Sequence, residues 1–271
     1  MKKLPNVFYR KNRILLKELV KTDFKLRYQG STLGYLWALI KPLLMFTILY
    51  VVFVQFLRFG DGIPHYAVYL LTGVMLWSFF TESTGQGIQA IIARGDLIRK
   101  ISFPKYIIVV SSTITALINL MINLCVLVMF ALINGVTPSL GWLMVPILVV
   151  ELYALSLGIA FLLGAINVKY RDIANIWDVI IQGAFYATPI IYPITMISIN
   201  SAMAAKLLLL NPVAQIIQDA RYFMITKETL TGWNFIGSPL ISMIPVVIVV
   251  VVLILAALFF RRRSKYFAEE V

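Results

Sequence analysis

Six stretches of the chain are apolar over the length of a membrane span: residues 34–57, 66–92, 107–133, 141–166, 176–197 and 240–260. A helix needs ~20 apolar residues to cross a bilayer core, so each is predicted as a transmembrane helix. The second is interrupted by Glu82-Ser83-Thr84-Gly85-Gln86-Gly87, which predicts a bend or break there. Ala202–Leu210 is apolar but too short to span. Residues 7–29 follow another rhythm. Phe8, Leu15, Leu16, Leu19, Val20 and Phe24 recur at helical spacing, with Lys11, Lys17, Lys21 and Lys25 between them. That spacing predicts a helix lying in the membrane interface, apolar face in lipid and lysines toward phosphates, or else a plain topogenic anchor for the first span. Ahead of the last span, Leu210-Asn211-Pro212 places a capping residue before a proline at the first helical position. The helix it starts carries Val213, Ile216, Ile217, Ala220 and Met224 on one side and is too short to cross. With 202–210 it reads as a pair of half-helices that enter the membrane and return, shaping an outer exit over 198–232. The expected architecture is an all-α polytopic membrane protein. It has an N-terminal amphipathic segment (1–33), a six-span domain (34–260) with short re-entrant outer helices before the last span, and a tail (261–271).

Composition agrees and excludes the alternatives. Of 271 residues, 61% are hydrophobic and 13% charged; a soluble domain carries ~25% charged residues. With Gly 15, Pro 11 and Cys 1, the chain is neither collagen, nor disordered, nor a disulfide scaffold. Cys125, in an apolar run, reads as a small core residue. The net charge of +12 raises the question of a polyanion partner. Its distribution answers that question: 19 of the 24 Lys and Arg fall in 1–33, 93–106, 167–175 and 261–271. These segments lie on one side of the predicted topology, which places both termini in the cytoplasm by the positive-inside rule. The charge faces anionic lipid, and no nucleic acid is required.

Charged and amide side chains inside the spans are few: Glu82, Glu151, Asp178, Asn119, Asn123 and Gln182. If the third and fourth spans turn near Thr137, Asn123 and Glu151 sit at the same depth, so Glu151 is expected to be held by Asn123 and Asn119. Ser156, Ala160 and Gly164 form a small-residue stripe suited to close helix packing. No G-x-x-x-x-G-K-[ST] phosphate loop is present, so this chain cannot hydrolyse ATP by that route. The single histidine, His65, has only Asp61 near it, too little for a metal site. No catalytic carboxylate pair or nucleophile elbow is found. On the basic face, loop 94–106 mixes charge with Leu97, Ile98, Ile101 and Phe103, and Asp96 is placed to cap a short helix. Loop 167–175, with Tyr170, Arg171 and Asp172, is similar in kind, and the two together mark a surface for docking another protein.

Aromatic residues fall at predicted span ends (Tyr35, Trp37, Trp142, Trp177, Trp233) and deeper, at Phe46, Tyr50, Phe53, Phe185, Tyr186 and Tyr192. Thr188-Pro189-Ile190-Ile191-Tyr192-Pro193 loosens the fifth span near its outer end. Deep tyrosines offer a flat face and a hydroxyl to a passing sugar, or simply pack in the bundle.

These features resemble the membrane subunit of ABC-2-type exporters, in particular the permeases that export O-antigen, capsule and teichoic acid. The resemblance is carried by Asp23-Phe24-Lys25-Leu26-Arg27-Tyr28-Gln29-Gly30-Ser31-Thr32-Leu33-Gly34-Tyr35-Leu36-Trp37 with Lys41-Pro42-Leu43-Leu44. Leu71-Thr72-Gly73-Val74-Met75-Leu76-Trp77-Ser78-Phe79-Phe80, Ser102-Phe103-Pro104-Lys105, Tyr170-Arg171-Asp172, the Thr188–Pro193 segment and Leu210-Asn211-Pro212 follow in the same order. It implies a homodimer in the cytoplasmic (inner) membrane with two copies of a separate ATPase, which holds the ATP and Mg; no cofactor is bound by this chain. The implied substrate is a polyprenyl-diphosphate-linked glycan moving through an aromatic-lined channel between the subunits. The channel candidates are Tyr35, Trp37, Phe46, Tyr50, Phe53, Phe185, Tyr186 and Tyr192. The ATPase-coupling candidates are Asp96, Arg99, Lys100, Phe103, Lys105, Tyr170, Arg171 and Asp172, and Asn211 and Pro212 belong to an outer gate. An ABC-2 exporter of a drug or small lipid shares the topology, and a polytopic membrane transferase is the alternative from another class.

Overall fold

The computed structural model describes residues 10–28, 32–58, 60 and 62–271, and at Arg27, Tyr28 and Tyr35 the backbone alone. Among these residues every regular element is helical. Helix α1 (Arg10–Tyr28) is followed by a 3₁₀ turn and α2 (Trp37–Leu49), which continues as a wider π segment over Tyr50–Phe56. Next come α3 (Tyr66–Ala93), α4 (Gly95–Lys100) and α5 (Tyr106–Ile133), then α6 (Val145–Asn167) and α7 (Ile173–Ala187). The short helices α8 (Ile194–Asn200), α9 (Ala202–Leu209), α10 (Pro212–Met224), α11 (Gly232–Phe235) and α12 (Pro239–Ser242) lead into α13 (Ile244–Arg263) and α14 (Phe267–Glu270).

Among the described residues four segments are long and apolar enough to cross a membrane: Trp37–Phe56, Tyr106–Ile133, Leu140–Asn167 and Pro239–Arg263. The two other predicted spans differ for separate reasons. Helix α3 has 28 residues, about 42 Å at the helical rise, but its second half is polar. Helix α7 has 15 residues, about 22 Å, because Thr188 turns to an extended conformation ahead of Pro189.

Helix α3 is the central strut, packing along α5 and α6, while α13 packs along α6. From Val68 to Phe80 nearly every α3 side chain is buried, which is why that half is apolar all round. The expected break at Glu82–Gly87 does not occur; the helix runs through. Its small and polar residues are used for packing instead. Gly87 lies against Ala160, and Gly164 faces the Gly87 carbonyl, so the predicted stripe on α6 sits directly on α3. The Thr84 hydroxyl bonds back to the Phe80 carbonyl at 2.8 Å, keeping the turn intact.

Two further expectations are corrected. The apolar face of α1 is not given over to lipid: α1 packs along α5 and Leu19 is buried. Cys125 is exposed on α5, in line with the exposed Met121, Met129 and Leu132. A small apolar thiol suits such an outward stripe as well as a core, and sequence alone does not separate the two.

The short helices are locally specified. Asn211 Oδ1 accepts the Val213 amide at 3.0 Å ahead of Pro212, the start predicted for α10. Ser201 caps α9 through the Ala204 amide, and Thr231 and Asn234 form a reciprocal capping box on α11. Helix α8 had no predicted counterpart.

Candidate functional site

A polar seam follows the polar half of α3 where α7 crosses it. On α3, Glu82, Gly85, Gln86 and Gln89 share a face at helical spacing. Gln86 Nε2 donates to Glu82 Oε1 at 3.3 Å, and Asn119 of α5 donates to the same oxygen at 2.6 Å. On α7, Asn175, Asp178, Gln182 and Tyr186 are all exposed and form one stripe, with exposed Ile176, Ile180 and Ala187 on the next. Between the helices lies a cavity of about 210 Å³ lined by Gly85, Gln86, Ile88, Gln89, Ala174 and Asp178. Trp177 pins α7 in place by donating its indole N–H to Thr84 Oγ1 at 3.0 Å. It stitches two helices together, where the sequence placed it in an interfacial belt. Trp142 acts likewise, donating to the Met224 carbonyl at 3.1 Å.

The aromatic candidates divide by exposure. Phe185 is buried, packed on Trp77 with ring centroids 6.0 Å apart. Phe46, Tyr50 and Phe53 are half-buried against the same cluster, the last two within the π segment of α2. Tyr186 is exposed, its ring set edge-on to Phe185, and Tyr192 donates to the Tyr186 carbonyl at 3.0 Å. Trp37 is exposed at the start of α2, and the Tyr35 side chain falls outside the described residues.

At the other end of the molecule α10 is buried on all sides, although only one side is apolar. Its centre is Arg221, fully buried. Arg221 donates from Nε to the Tyr69 carbonyl at 3.0 Å, from Nη1 to Pro189 at 2.7 Å and from Nη2 to Ile190 at 2.7 Å. Its guanidinium carbon sits 3.6 Å from the centroid of the Tyr69 ring. Tyr66 adds a bond from its hydroxyl to the Ile191 carbonyl, and Tyr69 donates to Gln218 at 3.1 Å. The broken end of α7 exposes carbonyls that prolines cannot serve as donors, and Arg221 supplies the missing donors. Asn211 and Pro212 start the helix that carries it. A cavity of about 300 Å³ opens beside this cluster, lined by Ile63, Tyr69, Pro193, Met196, Glu228 and Thr229 among others.

The expected hold of Asn123 and Asn119 on Glu151 is not found. Asn119 serves Glu82, and Asn123 Nδ2 bonds to the Asn119 carbonyl at 3.0 Å. Glu151 instead lies near Gln215 and Asp219 of α10, where Gln215 Nε2 donates to Asp219 at 2.7 Å. Equal depth fixes only the height of a residue on its helix, and the rotation of α6 points Glu151 to a different neighbour.

At the basic end, α4 exposes Asp96, Arg99 and Lys100 and buries Ile98. Asp96 lies in the first turn, and Arg94, with no capping bond from its side chain, holds the cap position predicted for Asp96. Phe103 and Lys105 follow, the ammonium 5.5 Å from the ring centroid. Tyr170, Arg171 and Asp172 stand exposed at the turn into α7, with Lys169 5.3 Å from the Tyr170 ring. His65 begins α3 in a left-handed conformation, and Asp61 falls outside the described residues. Arg221 and the seam on α3 were missed from sequence. The signal available was a proline-broken helix lacking donors, and a run of amides inside an apolar segment.

Comparison with known proteins fits this arrangement. An O-antigen export system permease protein of Myxococcus xanthus is 32% identical over 203 residues, covering 75% of this chain and 77% of that protein. Two proteins of the same description from Klebsiella pneumoniae are each 31% identical over 208 residues, 76% of this chain and 78% of theirs. Residues 14–225, which contain the strut, the seam and the buried arginine, match the family described as ABC-2 type transporter, and the chain belongs to that family.

Proposed function

We propose that this chain is the permease subunit of an ATP-driven exporter that moves a lipid-linked polysaccharide, of the O-antigen, capsule or teichoic-acid type, across the cytoplasmic membrane. The observation that carries the reading is the seam of Gln86, Gln89, Asp178, Gln182 and Tyr186 in a chain otherwise built for lipid. Carboxylates and amides in a bilayer face water or a partner, because facing hydrocarbon costs about 2.5–3.5 kcal/mol for an aspartate at the centre of a helix. In this reading α3 and α7 complete six spans, and they fail a simple apolar test because they border an aqueous path. The relatives described as O-antigen export permeases support a glycan as cargo.

A single close-packed bundle leaves no passage wide enough for a sugar chain, so the path lies between two copies of the subunit. The face of α2 with Leu44, Ile48 and Phe56, and that of α7, both exposed, are the surfaces for the second copy. Tyr186, Tyr192 and the half-buried Phe46, Tyr50 and Phe53 border the path, where flat rings let a polyprenyl-diphosphate-linked glycan slide. Trp37 stands at its basic end. Both termini lie in the cytoplasm. Two copies of a separate ATPase, holding ATP and Mg, dock on Asp96, Arg99, Lys100, Phe103 and Lys105 and on Tyr170, Arg171 and Asp172. Helix α10, begun by Asn211 and Pro212, and its short neighbours close the outer exit.

The test is export in a strain lacking the permease gene, with the cognate ATPase co-expressed. Arg99→Glu with Lys100→Glu is expected to abolish ATPase co-purification and export. Asp178→Leu with Gln182→Leu is expected to keep the ATPase bound and lose export. Retention of glycan export in both variants would overturn the assignment.

A further inference from the structure

The tail after α13 is folded into the body of the protein. A run of Arg261, Arg262 and Arg263 predicts a solvated end, yet Phe267, four residues on, is fully buried. Phe267 meets Phe260 edge-on with ring centroids 5.3 Å apart, and Phe260 meets Phe161 of α6 at 4.9 Å. Glu270 accepts two bonds from Arg263, at 3.0 and 3.1 Å, which turns the tail back on itself. A Val271 methyl then lies over Gly95 in the space a Cβ would take, with the Val271 Cβ 3.6 Å from that point, and Arg99 donates to the Val271 carbonyl. Ile98 of α4 joins the same apolar cluster as Phe267, Phe260 and Phe161.

The other side of α4 is held as well. Arg94, just ahead of it, pairs with Asp23 of α1, and Asp23 also accepts a bond from Ser111 of α5 at 3.2 Å. A helix of six residues is far too short to be stable alone, so its position depends on contacts such as these two grips. One grip leads through Asp23 to α1 and α5. The other leads through Phe267 to α13 and α6.

We propose that the tail is a positioning element for the ATPase-coupling segment, with Phe267 as its anchor: α1, α4 and α14 move as one platform, and a displacement of α4 reaches α13 and α6 through the Phe267–Phe260–Phe161 contact. This rests on the reading that α4 meets the ATPase. Phe267 touches neither cargo nor nucleotide; it acts through α4.

The experiment uses the permease–ATPase complex in lipid vesicles, with ATP hydrolysis and glycan export measured on the same preparation. Phe267→Ala is expected to leave ATPase co-purification intact and hydrolysis within about twofold, while glycan exported per ATP falls about tenfold. Phe267→Leu, which refills the site, is expected to restore the ratio. An unchanged ratio in Phe267→Ala overturns the proposal, and so does a loss of assembly and hydrolysis in step with export, which marks a purely structural role. A second arm joins the platform covalently through Gly95→Cys and Val271→Cys in a Cys125→Ser background. Oxidation to the disulfide is expected to leave export intact; export blocked by oxidation and recovered on reduction would show that the tail must leave α4, against the proposal. Lys100→Glu alone, which leaves the Arg99–Val271 contact in place, separates the two readings. If it leaves the ATPase bound, the docking assignment fails; if it releases the ATPase while Phe267→Ala stays coupled, only the platform fails.

Discussion

Arg221 is a buried cation that no carboxylate neutralises among the described residues; its charge is spread over three carbonyl dipoles and the Tyr69 ring. Such an arrangement is stable only while every donor is used, because a buried charge without partners is costly. Replacing it by the apolar Met leaves the Tyr69, Pro189 and Ile190 carbonyls without those donors. Arg221→Met is therefore expected to lose about 3 kcal/mol, or roughly 10 °C in the thermal midpoint of the detergent-solubilised protein. Gly73 supplies an independent check. A Cβ there would stand 2.5 Å from Arg221 Nη2, so Gly73→Ala should displace the guanidinium and lose about 1–3 kcal/mol. The two effects share one contact, so the double variant should be no less stable than Arg221→Met alone; simple additivity would refute the shared cause. The need for this residue is partly legible in the sequence, since Pro189 and Pro193 remove donors from a helix end. Which donor fills the need is not, because Arg221 lies 28 residues beyond Pro193 and only the folded chain brings it back. Glu151 teaches the same limit: its depth could be counted from the turn, and its partner could not.

At the scale of the element, the limits of Trp37–Phe56, Tyr66–Ala93, Tyr106–Ile133, Leu140–Asn167 and Pro239–Arg263 were readable to within a few residues, because length and apolarity set them directly. The fifth stretch was overrun: α7 ends at Ala187, ten residues short of 197. The continuity of α3 was not readable. Gly85 and Gly87 look alike as helix breakers, yet they have different surroundings. At Gly87 an added Cβ would run into Ala160, so this glycine exists for the close approach of α3 and α6; at Gly85 nothing lies within 4 Å. Gly87→Val is expected to separate the helices and lose about 1–3 kcal/mol. Gly85→Ala should instead gain about 0.5–1 kcal/mol, since a helical glycine is replaced without a clash. Thermal midpoints of the two variants, measured side by side, check this, and equal destabilisation would mean that α3 does bend at both. The half-helix α10 shows the complementary case. Asn211 and Pro212 announced its start correctly, but Gln215, Gln218 and Asp219 gave the impression of a wet side. They are buried because α10 lies among other helices: Gln218 accepts from Tyr69 of α3, and Gln215 donates to Asp219 one turn on within α10 itself.

The whole molecule is lopsided, and that asymmetry makes a prediction the parts do not. Nearly all of α3 is packed away, while α2 and α7 present broad faces outward, one apolar and one mixed. Of the aromatic residues expected to line the channel, Trp37 and Tyr186 stand exposed and Phe46, Tyr50, Phe53 and Tyr192 are half-buried, whereas Phe185 is packed inside. On α7 the two exposed stripes meet different surroundings if two copies together enclose the path. All five residues are exposed; in the proposed assembly Asp178, Gln182 and Tyr186 would face water, and Ile176 and Ile180 would face lipid or the neighbouring copy. Single cysteines placed at these five positions, in a Cys125→Ser background, separate the possibilities. A charged thiol reagent attacks the thiolate, and an apolar environment suppresses thiolate formation, so positions 178, 182 and 186 should react at least about tenfold faster than 176 and 180. The contrast should appear only in the assembled complex in membranes and fade in detergent, where water reaches both stripes of a separated subunit. Equal reactivity of the two stripes in membranes would mean that α7 has no dry side, and a path enclosed by a second copy would be ruled out.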